Sequence, residues 1–267
     1  MNRIKAEFVF VLVCLSTLSL CGCFMPRAHS MGASLMAVPH QPRVSADSSN
    51  AEMSVTVGAF GNIAGEGLNV NEVRSGGGDV SFMYRMGGAV SPLFFSAAVG
   101  GMGGKLQFDC NESRCSDNAE KYRAWLKTKE GKRDYSFWDV QERVLLGGDF
   151  NVGPYVLLGL GGGMQFFQGG GSYDDKRDEL EDAKLLENVD GNAGFAPVSS
   201  VWAGSRLGHG GKWGSVLAEL GMLYKGDIED WTGAMALNYF HTTGFYGGIV
   251  WDFQLGYGLN VGKTFVF

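Results

Sequence analysis

The residues able to do chemistry are few and widely spaced. Past residue 22 the histidines are His29, His40, His209 and His241. Acid–base or metal chemistry needs several such groups within bonding reach of one another, and no two of these are close in sequence. Asp174-Asp175 is a paired carboxylate with no histidine nearby. The run over 159–163, Gly-Leu-Gly-Gly-Gly, superficially suggests a phosphate-binding loop. No Lys-Ser/Thr follows it and no helix begins there, so it reads as a glycine-rich strand. Cys110 and Cys115 have four residues between them. In an oxidising compartment that spacing reads as a short disulfide loop; a metal site would need two further ligands. No cofactor is implied.

The elements that would position these residues are strands. Glycine is 42 of 267 residues, about twice the usual 7%, while proline is only 6. That excess excludes collagen and a Pro/Gly linker protein. A formal charge of −6 and 12% aromatics argue against a nucleic-acid binder and against disorder. Mean hydropathy is −0.02, with no second long apolar run that would make a helical membrane protein.

Period-two alternation over roughly ten-residue stretches predicts ten strands: 52–61, 78–87, 92–103, 137–150, 154–168, 195–207, 212–225, 231–240, 244–253 and 257–267. Eight is the alternative count. Short connections (88–91, 151–153, 208–211, 241–243) alternate with long ones (62–77, 104–136, 169–194), failing only at 254–256. An antiparallel up-and-down transmembrane barrel has short periplasmic turns and long external loops. The faces fit such a barrel. Val80, Phe82 and Tyr84 oppose Asp79, Ser81 and Arg85; Val216, Ala218 and Leu220 oppose Ser215, Leu217 and Glu219. One face suits lipid and the other, small, polar and glycine-rich, suits a narrow lumen. Trp138, Trp213, Tyr224 and Trp231 near strand ends suit interfacial girdles. The same alternation fits a soluble sandwich or a lipocalin-like barrel, with the apolar face inward. Glu142 falls on the lipid phase, at a cost of about 2 kcal/mol or less.

On this phase the lumen charges are Asp79, Arg85, Asp139, Arg143, Asp149, Arg206, Glu219 and Asp252. Both signs in a narrow interior predict pairing, because an unpaired buried charge is costly. A selective conduit is the alternative. Two helical pieces are expected in external loops. One starts near Asp117-Asn118-Ala119-Glu120 at capping-box spacing, with Tyr122, Trp125 and Leu126 on one face; the other is the charged stretch 175–188.

The N-terminus reads as a targeting segment. Arg3 and Lys5 precede an apolar run over residues 8–20, too short for an ordinary spanning helix. Leu20-Cys21-Gly22-Cys23 resembles the lipobox of bacterial lipoproteins, which implies acylation at Cys23 after removal of residues 1–22. The alternative is an ordinary secretory signal cut further on, near residues 28–33. Residues 23–50 show no sustained period and read as a flexible periplasmic tether, leaving 51–267 as the barrel.

Asn260, Gly262, Phe265 and Phe267 match the four specified positions of the C-terminal assembly signal of outer-membrane barrels, and Lys263 interrupts their apolar face. Residues 51–267 resemble, by pattern, small bacterial outer-membrane β-barrel proteins. The resemblance implies the outer membrane, its lipid and the barrel-assembly machinery as partners, and a monomer. Barrel enzymes of the omptin and lipid A deacylase types place histidine at the outer rim or facing the bilayer. His209 and His241 fall in expected periplasmic turns, the wrong end. The expectation is therefore non-enzymatic: a structural or surface-interaction barrel that meets an unidentified external partner, with a narrow small-solute channel as the alternative.

Overall fold

The computed structural model describes residues 39–42, 50–64, 70–87, 92–109, 120–186, 191–225, 230–253 and 255–267. Ten strands form: β1 (Glu52–Ala64), β2 (Val70–Arg85), β3 (Leu93–Phe108), β4 (Tyr135–Val152), β5 (Val156–Gly170), β6 (Ala193–Arg206), β7 (Ser215–Lys225), β8 (Asp230–Phe240), β9 (Phe245–Asp252) and β10 (Gly256–Val266). Each pairs antiparallel with its sequence neighbours, and β1 pairs with β10, so the sheet closes into a barrel with no free edge. Phe267 N–H to the Met53 carbonyl, at 2.9 Å, is the last rung of that closing seam. The count is ten, not eight.

Period two sets the two faces. Outward-pointing Val57, Val80, Val99, Leu146, Leu160 and Ile249 are exposed, and nine of the ten strands expose a large apolar side chain. Inward-pointing Ser54, Thr56, Ser81, Gln141, Gln165 and Asn238 are buried. A soluble barrel buries its apolar face, and this one does the reverse.

Several strands outrun their expected limits at the long-hairpin end. β1 and β2 continue to Ala64 and Val70, so the expected long loop over 62–77 is mostly paired strand. Conversely, the expected short turn over 208–211 runs from 207 to 214 and contains one 3-10 turn, His209–Gly211. β4 has 18 residues. At about 3.3 Å per residue and a tilt near 40°, it rises roughly 45 Å, well beyond an apolar band of about 25 Å. The long hairpins at that end carry two helices, α1 (Glu120–Leu126) and α2 (Ser172–Asp182). Asp117, Asn118 and Ala119, the expected start of the first helix, lie outside the described residues. The second helix begins earlier than 175 and stops at Asp182, since Lys184 takes a left-handed φ of 56°.

Candidate functional site

Side chains occupy the lumen in three zones, and a cavity of about 260 Å³ remains at the short-turn end, bordered by Gln41, Arg85, Arg206, Phe240 and Thr264. At the long-hairpin end an apolar lid packs across the mouth: Leu106, Phe108, Tyr122, Tyr135, Phe137, Tyr173 and Leu180 form one buried cluster. Phe108 stacks on Tyr173 at 4.8 Å and meets Trp125 edge-on at 5.4 Å, so Trp125 packs on its neighbours. α2 turns Tyr173, Arg177 and Leu180 inward. Asp174 and Asp175 in its first turn oppose the positive end of the helix dipole, and Asp174 lies 3.6 Å from Arg177. The paired carboxylate is thus part of the lid. The ammonium of Lys176 ties α2 to Glu130 at 2.5 Å and pairs within the helix with Glu179 at 2.7 Å, and the Glu130 contact holds that carboxyl below its ordinary range.

Beyond the lid lie four of the eight charges that the sequence phase points inward. Asp79, Asp139, Arg143 and Asp252 are buried. Gln141 Nε2 donates to Asp139 at 2.7 Å. Arg143, 4% exposed, lies within electrostatic reach of Glu219 and Asp79. Apolar side chains fill the space between: Leu145, Leu157, Leu217 and Tyr246 are all buried. The glycines make room for them. A Cβ at Gly58 would collide with the Tyr246 hydroxyl and the Asp79 carboxylate, and one at Gly147 would lie 2.6 Å from the Phe94 ring. The sequence suggests wall curvature as the reason for the glycine surplus; at Gly58 the reason is side chains lying against the wall, and at Gly147 it is both the Phe94 ring and the close Leu160 carbonyl of the next strand.

At the short-turn end the structure departs from the sequence reading. Residues 39–42, expected as part of a free tether, enter the barrel, with Pro39, His40 and Gln41 buried. The His40 imidazole stacks on the Trp202 indole, with centroids 3.7 Å apart and planes at 17°. His40 Nε2 donates to Asp149 Oδ1 at 2.6 Å, and Trp202 Nε1 donates to the same oxygen at 3.1 Å. Arg85 Nε donates to Asp149 Oδ2, and Arg85 Nη1 to Glu52, each at 2.8 Å. Its remaining arm reaches the Gln41 carbonyl. Glu219 accepts the His40 backbone N–H at 2.8 Å, and Thr264 Oγ1 donates to Gln41 Oε1 at 2.7 Å. Arg206 Nη2 donates to Asn151 at 2.9 Å. Six strands are thereby linked through His40, Gln41 and their partners.

No family model and no curated protein matches the chain. A solved structure it is similar to is the outer membrane protein Ail of Yersinia pestis in a phospholipid bilayer nanodisc. Identity is 10% over 81% of this chain and 100% of that one, with a TM-score of 0.31. The closed barrel stands on this chain's own strand ladder rather than on that likeness.

The other residues that the sequence singles out lie as follows. His209 and His241 lie in turns at the short-turn end. Asn260 points inward and is buried, Gly262 sits under the Tyr246 ring, and Phe265 and Phe267 are exposed on the outer face. Lys263 lies over the rings of Phe245 and Phe265 at 4.6 and 5.2 Å, so its charge rests on aromatic faces. Trp138, Trp231 and Tyr224 sit toward the long-hairpin end and Trp213 toward the other. Cys23, Cys110 and Cys115 lie outside the described residues, as does the whole signal segment. No group of three metal-ligating side chains occurs among the described residues. Sequence reasoning missed His40, Phe94 and Trp202. The signal available was Pro39-His40-Gln41-Pro42, two prolines of only six in the chain bracketing two polar residues, a spacing that stiffens a segment for docking.

Proposed function

We propose that the chain is a monomeric outer-membrane β-barrel that conducts little or nothing and acts through the face at its long-hairpin end. The observation that carries this reading is the inverted polarity of a wall whose interior is packed with buried side chains, its cavity of about 260 Å³ being confined to the short-turn end. A backbone cylinder of ten strands is roughly 20 Å across, and side chains from both walls consume most of that width. Inside it, Arg85, Arg143, Leu217 and Trp202 are each at most 4% exposed. The lid of α1, α2 and their hairpins lies at the long-hairpin end, and in this reading is the surface offered to an external partner. In this reading the short-turn end faces the periplasm and Cys23 carries the lipid anchor. Cys110 and Cys115 close a disulfide within the external hairpin, and the strand ending in Phe265 and Phe267 engages the assembly machinery.

Two measurements test it. The folded protein should migrate differently on a detergent gel before and after boiling, and a detergent-free monomer that stays soluble refutes the membrane reading. Reconstituted into planar bilayers, it should show no steady conductance. Stable ion-selective conductance altered by Arg143→Ala would replace this reading with a channel.

A further inference from the structure

The geometry points to a ring-binding site at the short-turn end of the lumen, built for an imidazole or a similar flat N–H donor and held in cis by residues 39–42. The inference needs only the closed barrel, not its location or its conductance. Three features converge on the ring and a fourth holds its backbone. The indole of Trp202 supplies a stacking face at 3.7 Å, and Phe94 supplies a tilted second wall at 5.1 Å. Asp149 Oδ1 accepts from the ring nitrogen, and Glu219 accepts the backbone N–H of the same residue. Both acceptors belong to the wall, on β4 and β7, so the seat is built from residues other than those of the segment that fills it.

The wall also makes room for it. A Cβ at Gly159 would fall inside the Trp202 ring system, so glycine there lets the indole lie flat and present its face to the lumen. Arg85 fixes the second oxygen of Asp149, orienting the first toward the ring. The segment suits the role of ligand, because Pro39 and Pro42 restrict the backbone on both sides and lower the entropy lost on docking. When residues 39–42 withdraw, the same seat is chemically fitted to an imidazole-bearing or small aromatic N–H donor entering from that end.

The full chain, refolded in detergent micelles, tests this by nuclear magnetic resonance of the Trp202 indole N–H, assigned by its loss in Trp202→Phe. In the wild-type chain the resonance should carry the ring-current shift of a stacked imidazole and ignore added imidazole. In His40→Gly that shift should vanish, then return on titration with free imidazole, with a Kd on the order of millimolar for so small a ligand. An unchanged resonance in His40→Gly shows that the segment is not seated and overturns the inference. A lost shift that imidazole does not restore also overturns it, leaving a contact without a site. A second measurement guards against a misfolded variant. A cysteine placed by Gln41→Cys should react with maleimide, located by mass spectrometry, at least about tenfold more slowly in the folded chain than in the denatured one. Equal rates refute the docking.

Discussion

Arg85 is the residue whose loss should be felt most at the short-turn end. Its guanidinium, 1% exposed, bridges Asp149 and Glu52 and reaches the Gln41 carbonyl. Arg85→Met keeps much of the volume and removes the charge. Breaking a buried pair from one side generally costs about 3–5 kcal/mol. Two features pull the value toward the lower bound here. Asp149 Oδ1 keeps its bonds to His40 and Trp202, so only Oδ2 is left bare. Glu52 sits at the rim with its side chain 12% exposed and can hydrate. The expected loss is about 3 kcal/mol, roughly two orders of magnitude in the unfolding equilibrium. The assay is reversible urea unfolding in lipid vesicles, followed by gel mobility. Asp149→Leu alone should also destabilise. The double variant should cost less than the sum of the singles by about 1–3 kcal/mol, since neither partner is then buried alone. A single-variant cost below about 0.5 kcal/mol, or additivity within about 0.5 kcal/mol, would refute the claim that this network holds the lumen together.

Three further outcomes are expected. Gly159→Ala puts a methyl group into the Trp202 ring system, so unfolding should become easier by about 1–3 kcal/mol, and an unchanged urea midpoint would contradict the flat-lying indole. Glu142 is exposed on the outer face of β4, opposite Val99 and Phe166; Glu142→Leu should stabilise the barrel in vesicles by up to about 2 kcal/mol, and a loss of stability would count against a lipid-facing position. Lys176 holds the Glu130 carboxyl below its ordinary value of 4.5. A lowered folded-state value means that the contact stabilises the hairpin above that ordinary value and is lost as pH falls through the lower one. Amide-exchange protection of α2, corrected for intrinsic rates, should therefore drop between pH 7 and about pH 3, and the drop should be smaller in Glu130→Gln. Equal drops in both chains would show that the contact does not contribute.

What the sequence determined by itself is whatever depends on local period. Alternation between Val80, Phe82, Tyr84 and Asp79, Ser81, Arg85 is a property of consecutive residues on one strand, so it assigned both faces before any pairing was known. It also pointed the charges inward and identified ten strands, because each turn is marked by its own glycine or polar cluster. Strand ends were less legible. β1 and β2 continue to Ala64 and Val70 on weakly patterned residues that pair only because β10 and β3 are present beside them.

Tertiary structure alone decided what fills the barrel. Arg85 meets Asp149 across 64 residues of chain, and His40 meets Asp149 across 109. No local pattern encodes contacts of that span; they follow from closing the sheet so that β2, β4, β6 and β7 face one interior. The four-residue segment carrying His40 has no period to read. Its place is fixed by a carboxylate, an indole and a guanidinium that come together only when the cylinder is complete.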